Sequence, residues 1–262
     1  MADANHRPGP RPTTQLLQTS RKNTFCIEGV RNFIRAVDHG FCIDQIVYSE
    51  KLLTNPVARK LVRQCRRSGV ATQKVSPEAF REVSQAKRAS GIAALARQRW
   101  HQLDQTDPNQ GLCWILIDRV NSPGNLGTLI RSANAVGAAG FIFVNPNVSP
   151  YSADVVRAAM GAVFCQTYIR TSWPALSNWV AAHRCEVIGA SPHAKSDLHR
   201  LSPPKHTPLL VLGEERRGLT DQQTDLCQRL VRIPMQPGTD SLNLGVAGSL
   251  IMYELLRSSP SP

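Results

Sequence analysis

Short apolar runs, each followed by a polar segment that contains glycine or proline, recur between residues 113 and 243 of this 262-residue chain. The runs cover residues 113–117, 141–144, 186–190, 209–212 and 230–233. Runs of four or five mostly apolar residues between turn residues are typical of parallel strands that are covered on both faces. Three of the segments that follow or end such runs are rich in polar side chains: residues 121–131, 212–219 and 233–243. Because ligands gather at the carboxyl ends of parallel strands, we expect these segments to converge on one pocket.

The first half of the chain alternates strand and helix patterns on a smaller scale. Strands are predicted at residues 25–29, 43–48, 72–75 and 92–96, and helices at 30–38, at 57–68 and after Ser76. The polar, proline-rich residues 1–14 are predicted to be a disordered tail, and the polar stretch 101–110 has the composition of a linker. The sequence therefore predicts two α/β domains, at residues 15–106 and 107–262, and the second ends in a helix over 242–257.

The net charge of +12 is concentrated in the first domain. Residues 1–105 contain 18 Lys and Arg against 8 Asp and Glu, a net charge of +10, whereas residues 106–262 have a net charge of +2. A basic domain of this kind suits a polyanionic partner such as RNA. The alternative is a solvated basic surface that only aids solubility, because charge alone does not specify a partner.

Several function classes lack their sequence signature. No Gly-x-Gly, Gly-Lys-Ser/Thr loop or Gly-x-Ser-x-Gly occurs, which disfavours dinucleotide-binding enzymes, P-loop enzymes and α/β-hydrolases. The seven cysteines and seven histidines have no metal-site spacing, so we expect no metal. No apolar stretch is long enough to span a bilayer and no apolar signal core begins the chain, so we expect a cytoplasmic protein.

The first polar segment combines an asparagine with an arginine on a predicted helix. A helix that starts just after Asn125 places Leu126, Leu129 and Ile130 toward the core and Arg131 on another side, beside small residues. A guanidinium in such a place fits phosphate or ribose oxygens. The alternative is an ordinary surface arginine and an asparagine that caps the helix.

The other two segments offer a carboxylate, a hydroxyl and an amide. Gly213 and Gly218 bracket Glu215 directly after an apolar run, which suits a sharp turn that brings one carboxylate into a cleft. Ser241 and Asn243 stand at the start of the last helix. Taken singly, these features also fit a turn with solvated charges and a capped helix.

Together, in order and spacing, the three segments resemble the three motifs of the SpoU (TrmH-like) family of RNA ribose 2′-O-methyltransferases, within the SPOUT superfamily. Residues 158–164 are similar to the connecting motif of that family. Residues 15–100 resemble the small ribosomal-protein-like substrate-binding domain that many members carry, with 25–29 and 91–93 as the recognisable positions.

The resemblance implies a SPOUT domain with a mostly parallel sheet and a deep trefoil knot, S-adenosylmethionine as cofactor, and a homodimer in which Arg131 reaches a site completed by the partner chain. The residues that it assigns to cofactor binding are Gly213, Ile233, Met235 and Leu242. Those that it assigns to the polar, catalytic wall at which the ribose enters are Asn125, Arg131, Glu215, Ser241 and Asn243. Gly245 and Ala159 stand where the family usually has serine. Gly245, Gly248 and Ser249 predict close packing of the last helix against the knot or the twin subunit, and the alternative is that the glycines are merely tolerated.

The implied activity is methylation of a ribose 2′-hydroxyl of structured RNA, with large-subunit ribosomal RNA preferred to transfer RNA. The alternatives are a transfer-RNA methyltransferase and a non-catalytic RNA-binding protein that has kept the fold. The family's scheme has Arg131 activate the ribose hydroxyl, but a guanidinium with a pKa above about 12 is a poor base near neutrality. We therefore expect Arg131 to act electrostatically, by stabilising developing negative charge on the hydroxyl oxygen.

Overall fold

The structure, a computed structural model, describes residues 23–86 and 88–259. The predicted tail at residues 1–14 lies outside the described residues. The chain divides into two compact units, Met1–Gln98 and Arg99–Pro262. None of the helices described in either unit is long and apolar enough to cross a membrane.

The first unit is a four-stranded sheet with three helices, and its elements agree with the predicted ones to within a residue or two. In chain order they are β1 Thr24–Glu28, α1 Val30–Asp38, β2 Ile43–Tyr48, α2 Pro56–Arg67, β3 Ala71–Lys74, α3 Pro77–Val83 and β4 Ile92–Arg97. The strand order is β1-β4-β2-β3, with β4 antiparallel to both of its neighbours and β2 parallel to β3. Asn55 and Ser76 cap α2 and α3, and a proline follows each cap at the first helical turn, as this signal predicts.

The division between the units lies ahead of the boundary expected at residues 106 and 107. The backbone of Arg99 exchanges hydrogen bonds with the Tyr151 hydroxyl, at 3.1 and 2.6 Å. The His101 N–H donates to the carbonyl of Tyr168 at 2.8 Å, and Leu103 is buried in the same apolar cluster as Trp114. The stretch 101–110 is therefore packed on the second unit despite its polar composition, because a few backbone contacts and one buried leucine hold it there.

The second unit is built on a seven-stranded sheet in which every strand pair is parallel, as the short apolar runs predict. Its strands are β5 Trp114–Ile117, β6 Gly140–Val144, β7 Thr167–Thr171, β8 Val187–Ala190, β9 Ser196–Asp197, β10 Leu209–Leu212 and β11 Arg229–Arg232. Its helices are α4 Pro123–Val136, α5 Ala153–Ala158, α6 Trp173–His183, α7 Asp221–Leu226 and α8 Leu244–Ser258, with short 3₁₀ turns at Ala162–Cys165 and Leu198–Arg200. The four residues of β5 and of β10 are all buried.

Helix α4 begins earlier than the sequence analysis predicts. The Ser122 hydroxyl accepts a hydrogen bond from the Asn125 N–H, which makes Ser122 the cap and Pro123 the first helical residue. Asn125 therefore lies inside the first turn, and its side chain does not cap the helix. The apolar stripe of Leu126, Leu129 and Ile130 is fully buried, as expected.

Helix α8 packs closely on α4 through its small residues. A Cβ on Gly248 would lie 2.3 Å from Leu129 Cδ2, and a Cβ on Gly245 would lie 3.1 Å from Thr128 Cβ. The hydroxyls of Ser249 and Ser132 are 2.6 Å apart. The last helix thus packs closely through its small residues, but against α4 of its own chain, and this packing joins the first and third polar segments.

Candidate active site at the carboxyl edge of the parallel sheet

The strand order of the large sheet, β7-β6-β5-β10-β8-β11-β9, reverses direction beside β5. The chain runs outward from β5 through β6 to β7, and the later strands fill the other side of β5. In open α/β sheets, ligands bind at the carboxyl ends of the strands at such a reversal. The segments that follow β5 and β10 are therefore brought together by the topology.

Side-chain hydrogen bonds join all three polar segments at this edge. The Asn125 amide donates to Glu215 Oε1 at 3.0 Å, and the Asn243 amide donates to Asn125 Oδ1 at 2.8 Å. Asn243 also caps α8, because its Oδ1 accepts from the Gly245 and Val246 N–H groups. Asn125, Glu215 and Asn243 thus form one connected network across the three segments.

The network continues to two asparagines that the sequence analysis did not assign to the site. The Asn121 N–H donates to Glu215 Oε2 at 3.2 Å, and the Asn121 amide donates to Glu214 Oε1 at 2.9 Å. The Asn147 amide donates to Asn121 Oδ1 at 3.1 Å. Asn121 belongs to the first polar segment, but nothing in the sequence links Asn147 to it.

Glu215 is held in its ionised form by this arrangement. Partial burial by itself raises the pKa of Glu215, but hydrogen bonds from its own N–H, the Asn125 amide and the backbone of Asn121 and Ser122 outweigh burial. The pKa of Glu215 therefore lies below its ordinary value. The carboxylate also faces the N-terminus of α4, where the helix dipole favours negative charge. Both oxygens are engaged in hydrogen bonds, so the geometry suits a group that positions the loop after β10 rather than a proton acceptor.

A cavity of about 440 Å³ lies beside the network, and its size falls in the range of small-molecule sites. Glu214 and Glu215 line one side of it. Its apolar wall consists of Leu212, Leu219, Leu230, Val231, Ile233, Met235, Leu242, Leu244 and Ala247. Gly213, Ile233, Met235 and Leu242, which the family resemblance assigns to the cofactor, all line this cavity, and so does Ser241.

Arg131 lies apart from both the network and the cavity of its own chain. Its side chain is exposed on α4 and forms no hydrogen bond or ion pair with any residue in 23–86 or 88–259. The sequence-predicted site thus divides into two parts. Glu215 and Ser241 line the cavity, and Asn125 and Asn243 are joined to Glu215 by hydrogen bonds. Arg131 instead projects from the surface of α4 and is available to another molecule.

Asp118 is a further carboxylate at this edge that the sequence analysis did not assign to the site. It directly follows β5, is nearly buried, and accepts a hydrogen bond from the Gln223 amide at 3.4 Å. Burial raises the pKa of Asp118, the charge of Arg119 opposes this, and Glu214 adds to it. Asp118 therefore connects α7 to the edge of the sheet.

The fold and this site are those of a SPOUT-type α/β methyltransferase domain preceded by a small α/β substrate-binding domain. The sequence model of the SpoU rRNA Methylase family matches residues 113–253, and that of the MRM3-like substrate binding domain matches residues 18–94. The chain belongs to the SpoU rRNA methylase family.

Similar proteins of known sequence or structure share both units. The chain is 30% identical over 245 residues to the 23S rRNA (uridine(2479)-2′-O)-methyltransferase of Streptomyces viridochromogenes, covering 91% of this chain and 84% of that protein. The AdoMet-bound rRNA methyltransferase from Sinorhizobium meliloti superimposes with a TM-score of 0.85 at 28% identity, covering 95% and 94% of the two chains. The SpoU methyltransferase AviRb from Streptomyces viridochromogenes, in complex with AdoMet, superimposes with a TM-score of 0.80 at 29% identity. The match covers 93% of this chain and 95% of that chain.

Proposed function

We propose that this protein transfers the methyl group of S-adenosylmethionine to a ribose 2′-hydroxyl of large-subunit ribosomal RNA. The observation that carries the proposal is the cavity at the strand reversal, bordered by a polar network that draws one asparagine or glutamate from each of the three family motifs. The ribosomal substrate is supported by the names of the similar proteins, which are rRNA methyltransferases.

The cavity residues fit the proposed cofactor. An apolar wall of Leu212, Leu219 and Leu230 suits a purine and a thioether chain, and the loops at Gly213 and Leu242 offer backbone polar groups to the ribose and the amino acid end. When bound, S-adenosylmethionine supplies an electrophilic methyl group on its sulfonium. The protein needs to hold that group still, exclude water and present the hydroxyl in line with it.

Arg131 is proposed to act on the RNA side of the reaction. A guanidinium beside the ribose would bind the neighbouring phosphate and stabilise negative charge on the 2′-hydroxyl oxygen as the hydroxyl proton leaves to solvent water. Asn125 and Asn243 link α4 and the start of α8 to Glu215, which lines the cavity, and Ser241 offers a hydroxyl in its lining. We also propose that the segments after β10 and β11 form the trefoil knot of the family, and that the protein acts in the cytoplasm, on ribosomal RNA.

Two other functions remain as competing hypotheses: methylation of transfer RNA, and RNA binding without catalysis. The intact set of Asn125, Arg131, Glu215, Ser241 and Asn243 argues against a non-catalytic protein, because a binder does not need a group positioned for chemistry.

A calorimetric titration tests the proposal. We expect S-adenosylmethionine to bind with one site per chain, and mapping of ribose methylation in cells with and without the gene to reveal one missing 2′-O-methyl group in large-subunit rRNA. Absence of binding heat would favour the non-catalytic protein. A missing methyl group in transfer RNA would favour the second alternative.

Helix α8 carries the surface on which we propose that two chains form a homodimer. Four of the six large apolar side chains exposed in the described part of the chain, Val246, Leu250, Tyr253 and Leu256, lie on this one helix. Their spacing of three or four residues places them on one face. An apolar stripe of this kind on a surface helix is typical of an interface.

Replacing Leu250 and Tyr253 with aspartate is expected to convert the dimer to a monomer, because two charges would be buried in an apolar interface. Sedimentation equilibrium measures the change, and Val57→Asp, at an exposed apolar residue of the first unit, is the matched control. A wild-type protein that sediments as a monomer would contradict the proposed dimer.

A further inference from the structure

The charged residues of helix α2 of the first unit are all basic. It contains no acidic residue and five basic ones, all exposed: Arg59, Lys60, Arg63, Arg66 and Arg67. Its inward face is fixed by the buried side chains of Ala58 and Val62. The basic side chains therefore cannot rotate away with the helix, and their direction is set by packing.

None of the basic side chains of α2 forms an ion pair with a carboxylate of the described residues. Arg59 donates from Nε to the carbonyl of Leu53 and from Nη2 to the carbonyl of Glu50 at 2.7 Å, so it is bound to backbone rather than to a carboxylate. Glu50 itself forms an ion pair with Lys74. The hydrogen bond from Lys74, with the added charge of Arg59 and Arg66, holds the pKa of Glu50 below its usual value. The one carboxylate at this place is therefore already paired.

Arg63 and Arg66 have no such partner. Neither side chain forms an ion pair or a hydrogen bond with a residue that the structure describes, and the backbone carbonyl of Arg66 accepts from the Gly69 N–H within the helix end. They stand three residues apart on one helix face, which places their Cβ atoms about 5–6 Å apart. Two adjacent guanidinium groups with free donors are suited to phosphate groups, which they bind through paired N–H bonds.

A cavity of about 290 Å³ lies directly beside these arginines. Arg59, Arg63 and Arg66 line it on the helix side, and Tyr48, Glu50, Leu53 and Val62 form the rest of its wall. The half-buried Tyr48 side chain, with the buried Leu53 and Val62 behind it, puts an aromatic ring and aliphatic atoms next to cations. Unstacked RNA bases bind to surfaces of this composition, stacked on an aromatic ring or on a guanidinium plane.

We infer that this groove, formed by Tyr48, Leu53, Val62, Arg63 and Arg66, binds a single-stranded or bulged nucleotide of the RNA substrate. Arg63 and Arg66 bind its phosphates, and the base occupies the cavity against Tyr48. The inference rests on the proposed function in that RNA is the substrate. A solvated basic face explains the charge of α2, but it does not explain a cavity that combines an aromatic ring with unpaired arginines.

Fluorescence anisotropy with two probes, a 23S rRNA transcript and a single-stranded oligouridylate, tests the inference on the full-length protein. The double variant Arg63→Gln and Arg66→Gln is expected to bind both probes about tenfold more weakly. The slope of the logarithm of the binding constant against the logarithm of salt concentration should fall in magnitude by about 1.4, because each contact with a single-strand phosphate contributes about 0.7. Tyr48→Leu keeps the wall apolar, and we expect about fivefold weaker binding with an unchanged salt slope.

The matched control is Arg81→Gln with Arg97→Gln. It removes the same two charges from the same unit, but both arginines are exposed and already paired, with Glu78 and Asp44. We expect this variant to bind both probes nearly as the wild type does. The inference would be overturned if the control lost as much RNA affinity as the Arg63/Arg66 variant. It would also be overturned if the Arg63/Arg66 variant bound both probes as the wild type does.

Cofactor binding separates this inference from the proposed function. All variants are expected to bind S-adenosylmethionine as the wild type does, because the substitutions lie outside the cavity of the second unit. A wild type that fails to bind S-adenosylmethionine, while its RNA affinity still depends on Arg63, Arg66 and Tyr48, would refute the methyltransferase proposal and support the groove.

Discussion

Replacing Arg131 with alanine is expected to lower the rate of methyl transfer at least about 100-fold, while the affinity for S-adenosylmethionine stays nearly unchanged. The exposed Arg131 side chain has no partner among the residues that the structure describes and does not line the cavity of its own chain. Its loss therefore disturbs neither the fold nor the cofactor site. Single-turnover methylation of an rRNA transcript measures the rate, and calorimetry measures the affinity.

Two further variants separate charge from geometry. Arg131→Lys keeps the charge but loses the planar fork, and we expect it to recover only part of the rate. Arg257→Ala removes an arginine of α8 that is exposed and already paired with Glu254, and it should leave both quantities unchanged. Matching losses of rate and cofactor affinity in Arg131→Ala would disprove the electrostatic assignment, because they would place Arg131 in the cofactor site.

The strands could be predicted from the sequence wherever they are buried on both faces. Runs such as Trp114–Ile117 and Leu209–Leu212 contain only apolar residues, since helices or loops cover them on each side. The edge strand Thr167–Thr171 was not predicted because it alternates apolar residues with threonine and arginine. Helix Trp173–His183 was missed for a related reason, as its apolar and polar residues do not separate into clear faces.

The site could be predicted only as far as its motifs are local. Glu215 was placed correctly beside a cavity because Gly213 and Gly218 mark a turn at the end of a strand. Asn147 was missed because its bond to Asn121 depends on how two loops meet at the sheet edge, which no spacing encodes. The predicted start of α4 was wrong, because Asn125 is as good a helix cap as Ser122. The proline after Ser122 is itself a strong signal for a helix start. Local propensities thus leave the choice between neighbouring caps to tertiary contacts.

Gly213→Ala is expected to produce the largest loss of cofactor binding, about 100-fold. The loop after β10 closes on itself through two backbone hydrogen bonds between Glu214 and Gly218, at 3.0 and 2.9 Å. A Cβ on Gly213 would lie 2.2 Å from the Gly218 carbonyl carbon and 2.5 Å from the Leu219 N. These contacts are with backbone, so the loop itself must move, and overpacking of this kind costs about 3 kcal/mol, which corresponds to about 100-fold in affinity.

Gly218→Ala is the matched control in the same loop. Gly218 has a φ of +70°, and a Cβ added to it would have no other atom within 4 Å, so alanine there meets backbone strain of about 1–2 kcal/mol but no clash. We expect its cofactor affinity to fall roughly tenfold, clearly less than for Gly213→Ala. Calorimetry measures the affinity of the two variants for S-adenosylmethionine. A larger loss in Gly218→Ala than in Gly213→Ala would show that backbone strain at Gly218, rather than the close contact of Gly213 across the loop, determines cofactor affinity.

The Gly213 and Arg131 variants together test whether the proposed dimer builds each active site from two chains. The cavity of the Arg131→Ala chain is intact, and the Arg131 side chain of the Gly213→Ala chain is intact. If Arg131 acts on the partner's cavity, a mixture refolded at equal amounts contains heterodimers with one complete site and should recover about a quarter of the wild-type activity, since half of the dimers are mixed. If Arg131 acts within its own chain, no chain in the mixture carries both parts, and the activity stays at the level of the separate variants.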